Sequence, residues 1–176
     1  YREAYNLHSS CGILFNHESP LRGLEFVTRK ITSTLTRIIR GEKITLELGN
    51  INAQRDWGYA EDYVKAMWLM LQQDNPDDYV VATGKTHTIR KFLEKCAKYL
   101  DLTLNSIGTG ADEKIYDQYG NLIVKINPVH FRPTEVDLLL GNAAKAKEVL
   151  KWEATHSLDD LVEMMIQSDY DKTKIC

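Results

Sequence analysis

The chain has only three cysteines in 176 residues, Cys11, Cys96 and Cys176, far apart, odd in number and without C-x-x-C spacing. That excludes a disulfide framework and a zinc knuckle and fits a reducing compartment, the cytoplasm being the expected one. No apolar run approaches the ~20 residues that cross a bilayer, so no membrane partner is expected. The first residues, Tyr1-Arg2-Glu3-Ala4-Tyr5, resemble neither a signal peptide nor a start of translation, and the chain is expected to begin in mid-fold. Excess positive charge is missing too: the formal net charge is -3 and the pI about 6.0, which gives no general drive toward nucleic acid. Hydrophobic residues at 43% and charged residues at 27% are ordinary for a globular protein and exclude disorder and collagen. The length suits one domain or a piece of a larger one.

What is present is an alternation of strand and helix. Tyr1 to Ser10 reads as the end of a helix, and Gly12-Ile13-Leu14-Phe15 as a buried strand whose polar continuation, Asn16-His17-Glu18-Ser19-Pro20, emerges where open α/β sheets bind ligands. Phe26 to Arg40 places Val27, Ile31, Leu35, Ile38 and Ile39 at helical spacing, and Gly41 ends the helix. Ile44 to Leu48 alternates as a strand. Ala60 to Gln73 predicts a helix with Val64, Met67, Trp68 and Leu71 on one face, stopped by Asn75-Pro76-Asp77-Asp78. Tyr79 to Thr83 reads as a buried strand and Thr88 to Leu100 as a helix. Ile115 to Val124 reads as a small hairpin or peripheral excursion turned at Gly120-Asn121. Two short helices close the chain, one capped by Asn142 and running through Leu150, the other opened by the capping box of Ser157 and Asp160. The alternation predicts a layered α/β fold with parallel pairing.

Several motifs fail on chemistry. His17-Glu18 begins like H-E-x-x-H, but position 21 is Leu and Pro20 would break the helix that brings two histidines to one metal. Gly84-Lys85-Thr86 copies the tail of a phosphate loop, yet its leading glycine would have to stand at Tyr79. His8, His87, His130 and His156 have no partner at ligand spacing, and none of the cysteines sits in a nucleophile motif. Two loops are more informative. Leu48 to Tyr59 carries Arg55 and Asp56, and the planar fork of an arginine suits phosphate oxygens, although an Arg-Asp pair bracing its own loop explains the string as well. His130-Phe131-Arg132-Pro133-Thr134-Glu135 repeats the theme, with a carboxylate able to accept from sugar hydroxyls, or else a capped turn.

The strings Gly12 to Pro20, Phe26 to Thr32, Leu48-Gly49-Asn50 with Arg55 to Gly58, Asp62 to Val64, Ala66 to Gln72, Ala82 to Gly84 and Arg132 to Asp137 together resemble the C-terminal part of the GDP-mannose 4,6-dehydratases, which are extended short-chain dehydrogenases/reductases. The resemblance is nearly end to end, weakest from Asp101 to Val129. It implies a Rossmann domain for NADP followed by a smaller nucleotide-sugar domain, with residues 1–25 ending the first and 26–176 supplying mainly the second, some segments returning to the Rossmann sheet. It implies a lyase reaction: NADP takes hydride from C4 of GDP-mannose, water leaves across C5 and C6, and the hydride returns to C6. The product, GDP-4-keto-6-deoxymannose, feeds deoxysugar synthesis.

By the same resemblance His17 and Arg22 match residues that contact NADP, and Asn16 one that contacts the sugar diphosphate. Lys30 falls near the guanine, Arg55 and Arg132 match diphosphate ligands, and Glu135 a carboxylate near the ribose. The family's Ser-Pro-Arg-Arg-Gly has Leu21 in place of its first arginine here. The family's catalytic tyrosine and lysine, and its Gly-rich pyrophosphate turn, are expected upstream of Tyr1, so the chain as given is expected to be inactive. GDP-mannose and further copies of the chain, as homodimer or homotetramer, are the implied partners. Two other readings stand beside this one: a non-catalytic module that binds a nucleotide sugar or a subunit, and an epimerase or dehydratase for another sugar nucleotide.

Overall fold

The computed structural model describes residues 1–131, 134 and 136–172. A one-turn helix α1 (Arg2–Tyr5) leads into strands β1 (Cys11–Leu14) and β2 (Asn16–Glu18), then helix α2 (Val27–Ile39) and strand β3 (Leu46–Leu48). Strands β4 (Gln54–Arg55) and β5 (Trp57–Tyr59) run directly into helix α3 (Ala60–Met70), followed by β6 (Asp78–Val81), β7 (His87–Thr88) and helix α4 (Ile89–Tyr99). Strands β8 (Asn105–Ile107), β9 (Lys114–Tyr116) and β10 (Leu122–Ile126) precede helices α5 (Ala144–Val149) and α6 (Leu158–Lys172).

The parallel pairing expected of a layered α/β fold is present three times, as β1 with β6, β2 with β5, and β3 with β10. Two buried clusters organise the layers. Ile31 and Leu35 of α2, Phe92 and Leu93 of α4, and Leu161 and Met165 of α6 pack over Leu46, Ile123 and Val124 of the β3-β10-β9-β8 sheet. Tyr63, Ala66 and Met70 of α3 meet Tyr79 and Val81 of β6 together with Ala146, Leu150 and Trp152.

Local signals place most boundaries. Gly41 at φ 92 ends α2 in the left-handed region that a side chain would strain. The Thr88 hydroxyl accepts from the Lys91 N–H at 3.0 Å and starts α4. Ser157 and Asp160 cap each other's backbone N–H groups, at 3.2 and 2.7 Å, ahead of α6. That helix runs for 15 residues, longer than the short segment its periodicity predicts.

Four expectations are corrected. The first strand is not the buried one its apolar run predicts: Cys11, Gly12 and Ile13 of β1 are exposed, since among the described residues β1 pairs with β6 alone. On α3 the apolar stripe faces outward: Val64, Trp68 and Leu71 are each 59% exposed, and the buried face is Asp62, Tyr63, Ala66 and Met70. The helix turns this way because Tyr63 and Met70 reach the β6 cluster while Asp62 binds the 155–156 segment. On α2 the apolar stripe is not the whole buried face: of the polar residues between its positions, Thr28, Arg29 and Thr32 are buried as well, since Glu18 and Asp169 receive them, and so is Thr36, which the Thr32 carbonyl receives. The Ile115 to Val124 segment forms the expected hairpin, β9 antiparallel to β10, but it is not peripheral: β10 is an inner strand between β3 and β9, with Ile123 and Val124 buried. Its turn is built on Asp117, whose carboxylate accepts from the Tyr119 and Asn121 N–H groups, with Gly120 at φ 83.

Asp62 ties α3 to the segment before α6. Its carboxylate accepts from the Thr155 hydroxyl at 2.7 Å, the Thr155 N–H at 3.0 Å and His156 Nδ1 at 3.0 Å, while its carbonyl accepts from Trp152 Nε1 at 2.8 Å. Burial acts to raise the Asp62 pKa, but the hydrogen bonds from Thr155 and His156 together outweigh it and hold the carboxyl below the usual range. A depressed folded-state pKa means that this contribution is present above the unfolded value of ~3.9 and is lost as pH falls through the folded one. Asp62→Asn is therefore expected to lower the melting temperature at about pH 6, with the gap to wild type closing below about pH 4; a gap independent of pH in circular-dichroism melts would contradict this.

Candidate nucleotide-binding site

Strand β2 lies parallel to β5 with Asn16 opposite Trp57, His17 opposite Gly58 and Glu18 opposite Tyr59. This pairing brings the polar end of the first strand beside the Arg55 loop, 40 residues away in sequence. Between them opens a cavity of about 340 Å³, with Asn16, Glu18, Arg22, Thr28, Lys30, Glu47, Arg55, Trp57 and His130 in its wall. Asn16, Arg22, Lys30 and Arg55, from three separate stretches of sequence, thus share one space. His17 is next to it on β2 but is not part of the wall. Arg132 and Glu135 lie outside the described residues.

Arg55 is 9% exposed and its Nη1 donates to the carbonyls of Gln54 at 2.8 Å and Val136 at 2.6 Å. Asp56 does not brace it. The Asp56 carboxylate turns the other way and accepts from the Thr83 N–H at 2.9 Å, the Thr83 hydroxyl at 2.6 Å, the Gly84 N–H at 2.9 Å and the Gly141 N–H at 3.2 Å. In the turn that copies a phosphate loop the Thr83 and Gly84 N–H groups are thus occupied by a carboxylate of the protein itself and the Lys85 N–H by the Thr83 hydroxyl. The 137–139 segment runs alongside β4, with the Gln54 N–H bonded to the Asp137 carbonyl at 2.7 Å and the Leu139 N–H to the Gln54 carbonyl at 3.1 Å. Asp56 and β4 together fix where the Arg55 backbone stands.

Arg22 is held from its own side. Its Nε lies 3.2 Å from Glu18 Oε2, and its guanidinium stacks on the Phe26 ring at 3.6 Å. The Glu18 contact is an ion pair rather than a hydrogen bond, since the buried Arg22 Nε has no aligned acceptor. Glu18 is 1% exposed and also accepts from the Thr28 hydroxyl at 2.6 Å. Burial raises the Glu18 pKa, and the Thr28 hydrogen bond and the Arg22 charge oppose that rise. His17 Nδ1 lies 2.9 Å from the Phe15 carbonyl, which can only accept, so this nitrogen carries the proton and Nε2 is left as the acceptor of the neutral ring. The imidazole packs against Tyr63, at 5.0 Å between ring centres, and Gly58 leaves room for that tyrosine.

Sequence reasoning missed Thr28, Glu47 and His130 as wall residues, and gave Glu18, inside the polar stretch it singled out, no role of its own. Glu47 gathers Lys125 at 2.6 Å and Asn127 Nδ2 at 2.6 Å, and its pKa is lowered by those two hydrogen bonds. The His130 carbonyl is so close to Gly49 that a β-carbon there would meet it at 2.5 Å. Gly49 was a readable signal of close backbone approach, whereas nothing in the spacing points to Glu47. The Tyr-x-x-x-Lys spacing occurs once, from Tyr170 to Lys174. The Tyr170 ring lies under the Arg40 guanidinium at 4.1 Å, where it packs α6 on α2, and Lys174 is outside the described residues. Among the described residues no group of three His, Cys, Asp or Glu side chains could hold a metal ion.

The arrangement offers cationic and amide donors, Arg22, Lys30, Arg55 and Asn16, to an acceptor-rich ligand. Asp56→Asn turns one half of the carboxylate into a donor facing N–H groups, and the loss expected is about 3 kcal/mol of stability, read from the midpoint of urea unfolding. A midpoint equal to wild type would show that Asp56 does not hold the 83–84 and 141 segments.

The sequence pattern of one protein family, described as GDP-mannose 4,6 dehydratase, matches residues 1–165. The chain is 52% identical over 175 residues to the GDP-mannose 4,6 dehydratase of Dictyostelium discoideum, covering 99% of this chain and 49% of that protein. It is 46% identical over 170 residues to the Homo sapiens enzyme of the same name, covering 96% and 46%. The chain thus spans about half the length of the curated relatives it matches. Among solved structures, RMD from Pseudomonas aeruginosa in complex with NADPH superposes with a TM-score of 0.80 at 17% identity, covering 97% of this chain and 51% of that one. A dTDP-glucose 4,6-dehydratase from Bacillus anthracis in complex with NAD superposes at 0.74 and 18% identity, covering 99% and 48%. These structural likenesses carry the fold, that of the extended short-chain dehydrogenases/reductases, and the match over residues 1–165 carries the family: the chain belongs to the GDP-mannose 4,6 dehydratases.

Proposed function

We propose that the chain is the C-terminal half of an NADP-dependent GDP-mannose 4,6-dehydratase, a hydro-lyase forming GDP-4-keto-6-deoxymannose. In this reading residues 1–25 close the cofactor domain, and residues 26–176 mainly bind the nucleotide sugar, with some segments returning to the cofactor sheet. The observation that carries it is the convergence of Asn16, Arg22, Lys30 and Arg55 on one cavity.

Arg55, anchored through Nη1 in the cavity wall, is the proposed ligand of the diphosphate, with Arg132 as its proposed second ligand and Glu135 as acceptor for the ribose hydroxyls. Asn16 adds an amide at the sugar end of the diphosphate. The Lys30 ammonium suits the O6 and N7 acceptors of guanine. The cofactor half of the reading rests on Arg22 and His17. The Arg22 guanidinium in the cavity wall, its charge balanced by Glu18, fits one flank of an acceptor-rich dinucleotide, and His17 Nε2 adds an acceptor of fixed tautomer. NADP, when bound, supplies the hydride acceptor and donor. The catalytic tyrosine and lysine are assigned to the other half of the enzyme.

The outward apolar face of α3 and the 56% exposed Ile13 of β1 support a surface covered by further protein, whether that other half or another copy in a homodimer or homotetramer. They equally favour a second reading, a non-catalytic nucleotide-sugar-binding or subunit-interaction module. No helix among the described residues is long and apolar enough to cross a membrane. The free Cys11 and Cys96 support a cytoplasmic setting.

Isothermal titration of the full-length enzyme with GDP, GDP-mannose, UDP-glucose and dTDP-glucose is expected to favour the guanosine ligands, and Arg55→Ala to weaken GDP-mannose binding by about 1.5 to 3 kcal/mol. Equal affinity for all four ligands would reject the substrate, and unchanged affinity in the variant would remove Arg55 from the site.

A further inference from the structure

No described residue of the C-terminal helix lines the cavity, yet the helix is connected to it by an unbroken run of buried and half-buried polar contacts. Asp169 on α6 is 4% exposed and faces Arg29 on α2, itself 8% exposed, with Arg29 Nε at 2.9 and 3.0 Å from the two carboxylate oxygens and Nη2 at 2.6 Å. The Thr32 hydroxyl donates to the same carboxylate at 2.7 Å. The remaining arm of the guanidinium, Nη1, reaches past α2 to the loop before it and donates to the carbonyls of Pro20 at 2.7 Å and Arg22 at 3.0 Å. Lys172, three residues beyond Asp169, adds a contact to the Pro20 carbonyl at 3.2 Å.

Arg29 therefore has its fork on α6 and its other arm on the backbone of Arg22. A guanidinium is planar, so fixing one edge on Asp169 also fixes the direction of the opposite N–H group. One residue earlier on the same helix, Thr28 holds Glu18, the carboxylate paired with the Arg22 side chain. The first turn of α2 thus sets both the backbone and the counter-ion of Arg22.

We propose that Asp169 and Arg29 are positioning residues for Arg22, so that the C-terminal helix sets cofactor affinity at the cavity without touching the ligand. This rests on the reading of Arg22 as a contact of NADP. It separates two affinities: loosening the Arg29 anchor disturbs the Arg22 side of the cavity, while Arg55, held by Asp56 and the 136–139 segment, keeps its place.

The test is NADPH binding followed by cofactor fluorescence, beside GDP binding followed by calorimetry, in the full-length enzyme carrying Asp169→Asn, Thr32→Val or Arg22→Ala. Asp169→Asn is expected to weaken NADPH binding about 10-fold, equivalent to about 1.4 kcal/mol, and the milder Thr32→Val about 3-fold, with GDP affinity within about 2-fold of wild type. Unchanged NADPH affinity in Asp169→Asn and Thr32→Val, with Arg22→Ala weakened, overturns the positioning role. So does a parallel loss of NADPH and GDP affinity with a lowered melting temperature, which is what a merely structural role produces. Unchanged NADPH affinity in Arg22→Ala overturns the underlying reading of Arg22 instead, and the proposal falls with it. If Asp169→Asn does not fold, Thr32→Val decides by the same split.

Discussion

The structure around the cavity depends on one buried carboxylate. Asp56 is fully buried and accepts from three backbone N–H groups and a hydroxyl, drawn from the turn after β6 and from Gly141. A charge at that depth is tolerable only because it has so many donors. The same requirement locks three segments distant in sequence into one arrangement, beside which Arg55 stands in the cavity wall. Glu18 is a second buried carboxylate in the wall, balanced by Thr28 and Arg22. The cationic side chains Arg22 and Arg55 of the cavity wall thus stand beside buried acids of the protein itself.

The two faces of α2 and α3 show how far periodicity can mislead in a chain that spans about half the length of its relatives. An apolar stripe at helical spacing says that some surface must be covered, but not which surface. On α3 the stripe of Val64, Trp68 and Leu71 is outside, while Tyr63 and Ala66 fill the interior. On α2 Thr28, Arg29 and Thr32, between the stripe positions, are inside as well, because carboxylates from β2 and α6 wait there. Both departures occur where contacts come from remote segments, and remote contacts leave no mark in local spacing.

Much of the candidate site was legible nonetheless. Asn16, Arg22, Lys30 and Arg55 were picked out on strings of residues that resemble a known family, and the β2–β5 pairing explains why strings so far apart belong together. Glu47 was not legible because it sits in no recognisable string, and His130, although it opens the Arg132 loop, has no partner at ligand spacing; both enter the wall only through the parallel pairing of β3 with β10 and the close approach at Gly49.

The sequence by itself determined the alternation of strand and helix, the caps at Thr88 and Ser157, the stop at Gly41 and the family, since each depends on residues that are neighbours along the chain or on a shared string. Only the tertiary structure decided that Asp56 would serve the 83–84 turn rather than Arg55, that α3 would bury its tyrosine face, and that Asp169 would reach the loop of Arg22 through Arg29. The reason is the same in each case. A buried charge takes whatever donors the fold brings within about 3 Å, and that distance is measured in space, across 140 residues of chain between Arg29 and Asp169.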